Sequence, residues 1–526
     1  MTHNPVNDIP SSPFSPITPL VLGPVDSDLY AFLEEAHALI QQSPALVEAV
    51  ERDLDAHALR KKAIRVADAK WLSNRMEPLP GMGEPAQDPD KPLVLMQGRP
   101  RTSGYVVLIA LVLRGYSGAG FKSADVTSTM AESITLRVFF SNLGIAAPGR
   151  STLTELVNAV SNQTRELVLD AQLSRVLRMK FDTFDVFLQD STHVGGNTAW
   201  PTDSHLMVDI VSRLIRIGEA LERVHLSPID LDGVRKLLQK MAKLSREIDF
   251  SRGKRDSNRT RRRRYERLLR MAKRTDSQMA PKVAKLARET KALDVMPSQQ
   301  AIAERAVARL QADLDALRKV CAACEARVIH ETKVPMCKKV LSISDPDAAF
   351  IKKGQREPVI GYKPQIARSG AGFITGLRLP QGNAPDSKNL LPMVDQVIAR
   401  TTVIPKVISV DDGYASQANV DALKQKDRNI EVVSISGAKG RALTSPTDWE
   451  SELFVQARDK RSAIESLMYT LKQGFHFGEV ARRGLLAVHA ELLEKALAYN
   501  IRLAARLRRE PADAAKPDSV PIQAVA

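Results

Sequence analysis

Cysteine is scarce in this chain. Three cysteines in 526 residues cannot build a disulfide framework, so a fold stapled for an oxidising compartment is excluded and a reducing cytosol fits. Aromatic residues are few, at 5%, which argues against a surface built mainly on base stacking. Long apolar runs are missing too. The longest, 106-VVLIALVL-113, falls short of the roughly 20 residues that a bilayer requires. The opening MTHNPVNDIPSSPFSPITPL has neither a basic start nor an apolar stretch, so no signal peptide is expected. Gly195 and Gly196 lie in no phosphate-loop pattern, and G-x-x-x-x-G-K-[ST] does not occur, so an ATP-driven mechanism is not suggested. The expectation is a cytoplasmic, nucleoid-associated protein without a membrane partner.

What the chain does have is positive charge. Net charge is +15 and the pI about 9.6, which points to an acidic polymer as partner. With 44% hydrophobic residues the chain has enough apolar content for two to four globular domains. Residues 1–27, rich in Pro and Ser, are expected to be disordered. Residues 28–76 read as helix, with Leu29, Phe32, Leu33, Ala36 and Ile40 at helical spacing. Residues 77–92 read as a Pro/Gly linker, and 100–175 as several short helices, one of them capped by Ser151. Together 28–175 form a helical N-terminal region.

From about 176 the pattern changes. The run 181-FDTFDVFLQD-190 is strand-like, and strand-like runs resume at 338–344, 358–367 and 372–380, the last two joined as a hairpin. Helix 388–400, strand 405–411, helix 415–427, strand 430–436 and helix 460–473 follow. Hairpin-linked strands and then alternating strands and helices predict an α/β fold: an RNase-H-like mixed sheet with helices on both faces. It would comprise 176–203 and 334–480, with a C-terminal helix and tail over 481–526. The intervening 204–333 reads as a large, all-helical, coiled-coil-like insertion. Val234, Leu237, Met241, Leu244 and Ile248 form one apolar seam, and Val307, Leu310, Leu314, Leu317, Cys321, Cys324 and Val328 another. The two are expected to face each other in an antiparallel hairpin. Near its turn, 254-KRDSNRTRRRRYERLLRMAKR-274 holds eleven basic and two acidic residues. Arg261, Arg262, Arg263 and Arg264 are expected to contact phosphates.

Three carboxylates stand apart. Asp190 ends the first strand-like run, and Asp411 ends 407-VISV-410. Glu465 lies on a predicted helix, flanked by Arg461 four residues before and Lys472 seven after, on one face. A surface salt-bridge ladder would place the helix residues in the same way. Acids from three separate segments, beside cations in a basic chain, point instead to metal-assisted phosphoryl transfer on a nucleic acid. Carboxylates holding two Mg²⁺ can serve nucleophile, transition state and leaving oxygen.

At these residues the chain resembles the DDE transposases of bacterial insertion sequences, in the branch with a Y-R-E-K signature. Arg461, Glu465 and Lys472 match that signature, whereas its Tyr position is Arg458 here. The second-acid motif D-x-G-Y is matched by Asp411, Asp412, Gly413 and Tyr414, and the first-acid block resembles 190-DSTHVGGNTAWPTDS-204. The segments 357-EPVIGYKPQIA-367 and 488-VHAELLEKALAYNIRLAARL-507 also resemble such enzymes. The resemblance implies two Mg²⁺ or Mn²⁺ ions held by Asp190, Asp411 and Glu465, and cleavage and joining of double-stranded DNA at element ends and target. It also implies Arg461 and Lys472 near the cleaved phosphate, Tyr414 behind the second acid and Gly413 permitting the turn. By analogy 28–175 would bind element ends, and a homodimer or higher assembly would hold them together. Asp412 competes with Asp411 for the second-acid role. A metal-dependent RNase-H-fold nuclease without strand transfer would use the same acids, and a catalytically decayed DNA-binding protein is the remaining alternative.

Other signals carry less. Cys321 and Cys324, with His330 and Cys337 beyond, have zinc-like spacing, but both fall on the apolar seam, where cysteine packs as a small hydrophobe. Asp203 is expected to cap a helix, with a fourth-acid role as the alternative. His193 is expected to make a loop hydrogen bond, with a substrate contact as the alternative.

Overall fold

The computed structural model describes residues 26–75, 102–116, 133–145, 150–200, 202–222, 230–250, 257–352, 357–425, 428 and 430–509. The expectations for 1–25 and for the linker 77–92 lie outside them. β-Branched runs supply the central sheet. Its strands are β1 (Val186–Ser191), β5 (Gln365–Ser369), β6 (Ile374–Arg378), β7 (Val407–Val410) and β8 (Val432–Ile435). They lie in the order β6-β5-β1-β7-β8, with β1, β7 and β8 parallel and β5 antiparallel to both β1 and β6. This mixed arrangement is compatible with an RNase-H-like fold. A smaller sheet, β2-β4-β3, joins β2 (Val194–Gly195), β3 (Ala349–Ile351) and β4 (Val359–Tyr362).

Strand alternation sends successive side chains to opposite faces. Phe187, Ala367, Ile408 and Val410 share a core with α11 (Leu390–Thr401) and α12 (Gln417–Leu423) on one face. Leu188 and Ile366 face the other way, into a core with Ile464, Leu467 and Leu471 of α16 (Ser462–Gly474). On that same side Val407 packs against Phe454 and Ala457 of α15 (Glu452–Lys460).

The core under α16 extends far from the sheet. It takes in α1 (Ser27–Gln42), α2 (Ala45–Ser73), α3 (Gly104–Gly115), α4 (Ile134–Asn142), α5 (Arg150–Ala159) and α6 (Asn162–Arg178). All surround the buried C-terminal helix α17 (Leu485–Arg509) or its neighbours. At its centre Glu494 is hydrogen-bonded by Arg114, Arg165 and Arg482. Burial alone would raise this carboxyl, but the three guanidiniums outweigh it and hold it at about 2.

The insertion has its own core. It is built by α7 (Asp203–Glu222), α8 (Asp232–Phe250), α9 (Ser257–Lys291) and α10 (Pro297–Cys324). Each helix packs on the next, and α10 returns to α7. The two apolar seams belong to α8 and α10, at opposite corners of this four-helix bundle, and do not pair as a hairpin. Tyr265, Leu268, Leu269, Ala272 and Met279 of α9 share the core with them. Cys321 and Cys324 are buried there, and burial pushes the Cys321 thiol up to about 12.

Several local expectations change. The single helix expected from residue 28 onward is two helices among the described residues, broken at Ser43–Pro44, because proline disfavours helical backbone in the residue before it. Arg150 already belongs to α5, so Ser151 lies in its first turn instead of ahead of it. The strand expected over 338–344 is absent. Val340 and Ile343 pack on the bundle instead, and Arg213 donates to the Ile343 carbonyl at 2.8 Å. Residues 358–367 make two strands in different sheets, parted at Lys363–Pro364. Asp203 opens α7, while Thr202 accepts the His205 N–H at 3.3 Å and does the capping. The acid itself pairs with Arg327. Three short helices went unread from the sequence: α13 (Ala438–Ala442), α14 (Pro446–Glu450) and α15.

Candidate active site at the strand ends

The register places two of the acids. In the parallel pair β1–β7, Gln189 stands opposite Val410, so Asp190 and Asp411 follow at the same level on adjacent strands, which run about 4.8 Å apart. Alternation puts both on the face covered by α15 and α16. Asp190 is 8% exposed, and its Oδ1 accepts the Ser191 N–H at 2.6 Å. Asp411 Oδ1 accepts the Gly413 N–H at 3.0 Å.

Asp412 points elsewhere. Its Oδ1 accepts the Gly440 N–H at 2.9 Å, tying the start of α13 to the end of β7. The two neighbouring carboxylates therefore hold different backbone segments, Asp411 its own turn and Asp412 the start of α13. Gly413 has an ordinary negative φ, so it is not needed for the turn conformation. A side chain there would meet Asp411 Oδ1 at 3.0 Å and Asp386 Oδ2 at 3.3 Å, so the residue serves close approach. Tyr414 is fully buried behind the second acid, and its hydroxyl donates to Gln365 Oε1. Burial, then the charges of Asp386, Asp190 and Asp411, push its phenol well above the ordinary value, so it stays protonated.

Sequence reading missed Asp386. It follows β6 on a short 3-10 turn, accepts from Gln365 at 2.7 Å and pairs with Lys363 at 2.9 Å. The residues 385-PDSK-388 carry no motif that would have flagged it.

Glu465 lies in the first turn of α16, whose Ile464, Leu467, Met468 and Leu471 bind the helix to the sheet face. Its side chain is 58% exposed and pairs with Arg461 at 2.8 Å. Arg461 is the junction between α15 and α16. Lys472 follows two turns later on the flank that carries Glu465. Arg458, at the signature's Tyr position, lies 5.5 Å from the Trp449 ring centroid. Among the described residues no three acidic, histidine or cysteine side chains stand close enough to hold a metal ion together. Asp190 and Asp411 thus end adjacent strands at one level, while Glu465 is paired with Arg461.

The arginine run is not in a turn. Arg261–Arg264 form the second turn of α9. Arg262 pairs with Glu266 at 3.6 Å and Arg264 with Glu247 at 3.5 Å, while the Arg261 guanidinium lies 5.8 Å from the Tyr265 ring centroid. Arg263 points outward.

Residues 325–501 match the family model of the transposase DDE domain. A transposase for insertion sequence element IS1106 from Neisseria meningitidis serogroup B is 28% identical over 170 residues, 32% of this chain and 56% of the relative. Over these residues the chain is similar to DDE transposases of bacterial insertion sequences. It spans little more than half of that curated relative's length, and no solved structure matches it. The family match begins as α10 ends and includes Asp411, Arg461, Glu465 and Lys472; Asp190 and the bundle precede it. No helix of the described residues is long and apolar enough to cross a membrane.

Proposed function

We propose that this chain is a transposase that cuts double-stranded DNA at the ends of an insertion sequence and joins them to target DNA, with Asp190, Asp411 and Glu465 as its acids. The observation that carries the reading is the placement of Asp190 and Asp411, level with each other on adjacent parallel strands and turned to the face that α16 covers. A sheet holds such carboxylates rigidly, and a helix acid on the same face can join them from the side.

The donors fit a hard divalent cation, since all are carboxylate oxygens and two are a strand spacing apart. Asp190, Asp411 and Glu465 would hold Mg²⁺ or Mn²⁺, two ions per site, which when bound supply charge stabilisation at the phosphoryl oxygens. The protein groups do the rest. Arg461 keeps Glu465 on the flank of α16 until DNA phosphates compete for the guanidinium, which frees the carboxylate to turn toward the strand ends. Lys472 then sits beside the scissile phosphate and meets charge that grows in the transition state. Tyr414 and Gln365 brace the second acid from behind, and Lys363 neutralises Asp386 next to it. The helices within 28–175 serve end recognition, and a homodimer or larger assembly brings two ends together.

The test is a divalent-metal-dependent cleavage and strand-transfer assay on duplexes made from the DNA that flanks the gene, where the reading expects terminal inverted repeats. Wild-type protein should yield 3′-OH ends joined to target DNA, and Asp190→Asn should yield neither. Cleavage without joining would favour the nuclease alternative, and metal-independent or absent cleavage would favour a decayed DNA-binding protein.

A further inference from the structure

The outer face of the bundle carries charge in an unusual way. Helices α8 and α9 run antiparallel: Glu247 meets Arg264, Gly233 meets Gln278 and Asp230 meets Lys282. Their apolar positions turn inward. Between their outer flanks runs an open groove of ≈ 500 Å³. Lys240 and Lys243 of α8 form one wall, Arg267 and Arg270 of α9 the other, and Leu244 and Met271 the floor. All four cations are exposed, and none has an ion pair or hydrogen bond from its side chain to a described residue. Among the described residues that line the groove the one acid, Glu247, already faces Arg264.

Some cations elsewhere on the same bundle are matched. Lys273 pairs with Glu325 at 2.8 Å, Arg318 with Asp276 at 2.9 Å, and Arg235 with Glu219 at 3.0 Å. An ordinary solvated face would mix signs in that way. Here the rows continue with one sign, through Lys236 on α8 and through Arg263 and Arg274 on α9. At 1.5 Å per residue the α9 row from Arg263 to Arg274 spans about 16 Å, roughly five base pairs of duplex at 3.4 Å each. Like charges gathered in one groove repel each other, and a polyanion relieves that repulsion. Arginine adds forked donors suited to phosphate oxygens.

We propose that this groove is a sequence-independent binding surface for the backbone of double-stranded DNA, made by Lys240, Lys243, Arg267 and Arg270 and separate from the strand-end acids. The inference rests on the proposed function only for the identity of the polyanion. It also shifts the insertion's DNA contact from the arginine run 261–264, where Arg262 and Arg264 face glutamates, to the exposed rows beyond it.

The test uses full-length protein carrying Asp190→Asn, with and without Lys240→Ala, Lys243→Ala, Arg267→Ala and Arg270→Ala together. Affinity for an end-bearing duplex and for an unrelated duplex is measured between 50 and 200 mM salt, alongside a thermal melt, conditions spanning about the range over which phosphate contacts are most salt-sensitive. The fourfold variant should melt like its parent, bind both duplexes more weakly by a similar factor, and lose about two to four units of the log affinity–log salt slope, as about 0.9 per phosphate requires. A charge-keeping variant, with the two lysines changed to arginine and the two arginines to lysine, should retain the slope. Unchanged affinity and slope would overturn the proposal, as would tighter binding of single-stranded RNA or an acidic protein than of duplex DNA. The readout is independent of catalysis. Failure of wild-type protein to cleave would therefore overturn the reading of the acids and leave this result standing.

Discussion

The core around α17 and the core of the bundle handle charge differently. Around the sheet and α17, ionic groups are few, buried and fully engaged: Glu494 takes three guanidiniums, Glu35 takes Arg175 at 2.6 Å, and Lys495 pairs with Glu491 at 2.9 Å. On the bundle one ion pair is buried, Arg213 with Asp313, but most charge lies outside the apolar seams, and one face carries cations with no partner among the described residues. The first arrangement fixes positions, as chemistry at the ends of β1 and β7 requires. The second presents a field, as sequence-independent attraction of a polyanion requires. The difference implies a division of labour, with turnover set by the sheet and retention of DNA by the bundle.

That division can be broken most sharply at the strand ends. Asp190→Ala or Asp411→Ala should reduce cleavage on the order of 10³-fold or more while leaving duplex affinity within a few-fold. Asp412→Ala should spare far more activity, because its carboxylate caps Gly440 instead of meeting substrate. Single-turnover cleavage at saturating DNA distinguishes the two, and equal losses would remove the case for Asp411.

The buried charge network comes next. Glu494→Gln leaves three guanidiniums in a core without their counter-charge and should destabilise the fold by about 3–5 kcal/mol, read from denaturant melts. The wild-type network also sets a pH dependence. The carboxyl is depressed to about 2 in the folded protein, so its contribution is complete above the unfolded value near 4.3 and fades as pH falls from there toward 2. Glu494→Gln should flatten that part of the stability–pH curve, and an unaltered curve would detach it from this residue.

Lys472→Ala should lower cleavage by about 10²-fold and lower affinity much less, since its charge meets the transition state more than the ground state. Normal turnover at saturating DNA would reduce the stripe on α16 to a surface ladder. The smallest effect expected is at the bundle seam. Chelators should leave the melt of the bundle unchanged, and Cys321→Ser should lower stability by about 1–2 kcal/mol through burial of a hydroxyl in an apolar site. Stoichiometric zinc lost with Cys321→Ser would contradict that.

Much of this was legible in the residues. Short β-branched runs ending in Asp190 and Asp411 marked strands, and apolar spacing of three and four marked α8 and α10. What escaped depends on neighbours distant in sequence. Val340 and Ile343 look like strand residues but bind the bundle. The seams of α8 and α10 looked like partners until α9 proved long and amphipathic enough to complete a ring of four helices. Asp386 joins the second acid only because the chain after β6 folds back beside Gly413. The run Arg261–Arg264 drew the eye by density, whereas Lys240, Lys243, Arg267 and Arg270, spaced K-x2-K and R-x2-R on two helices, became a groove only once those helices packed. Density of charge is visible along a sequence, but whether a charge is already matched is a property of the fold.

The central claim is that the sheet turns DNA over while the bundle holds it. Its most direct test is single-turnover, metal-dependent cleavage of saturating end-bearing duplex by three proteins side by side: wild type, Asp190→Asn, and the fourfold groove variant in an otherwise wild-type chain. The account predicts normal rates for wild type and the groove variant and no cleavage by Asp190→Asn. Residual cleavage by Asp190→Asn near the wild-type rate, or a collapse of turnover in the groove variant at saturation, would contradict it.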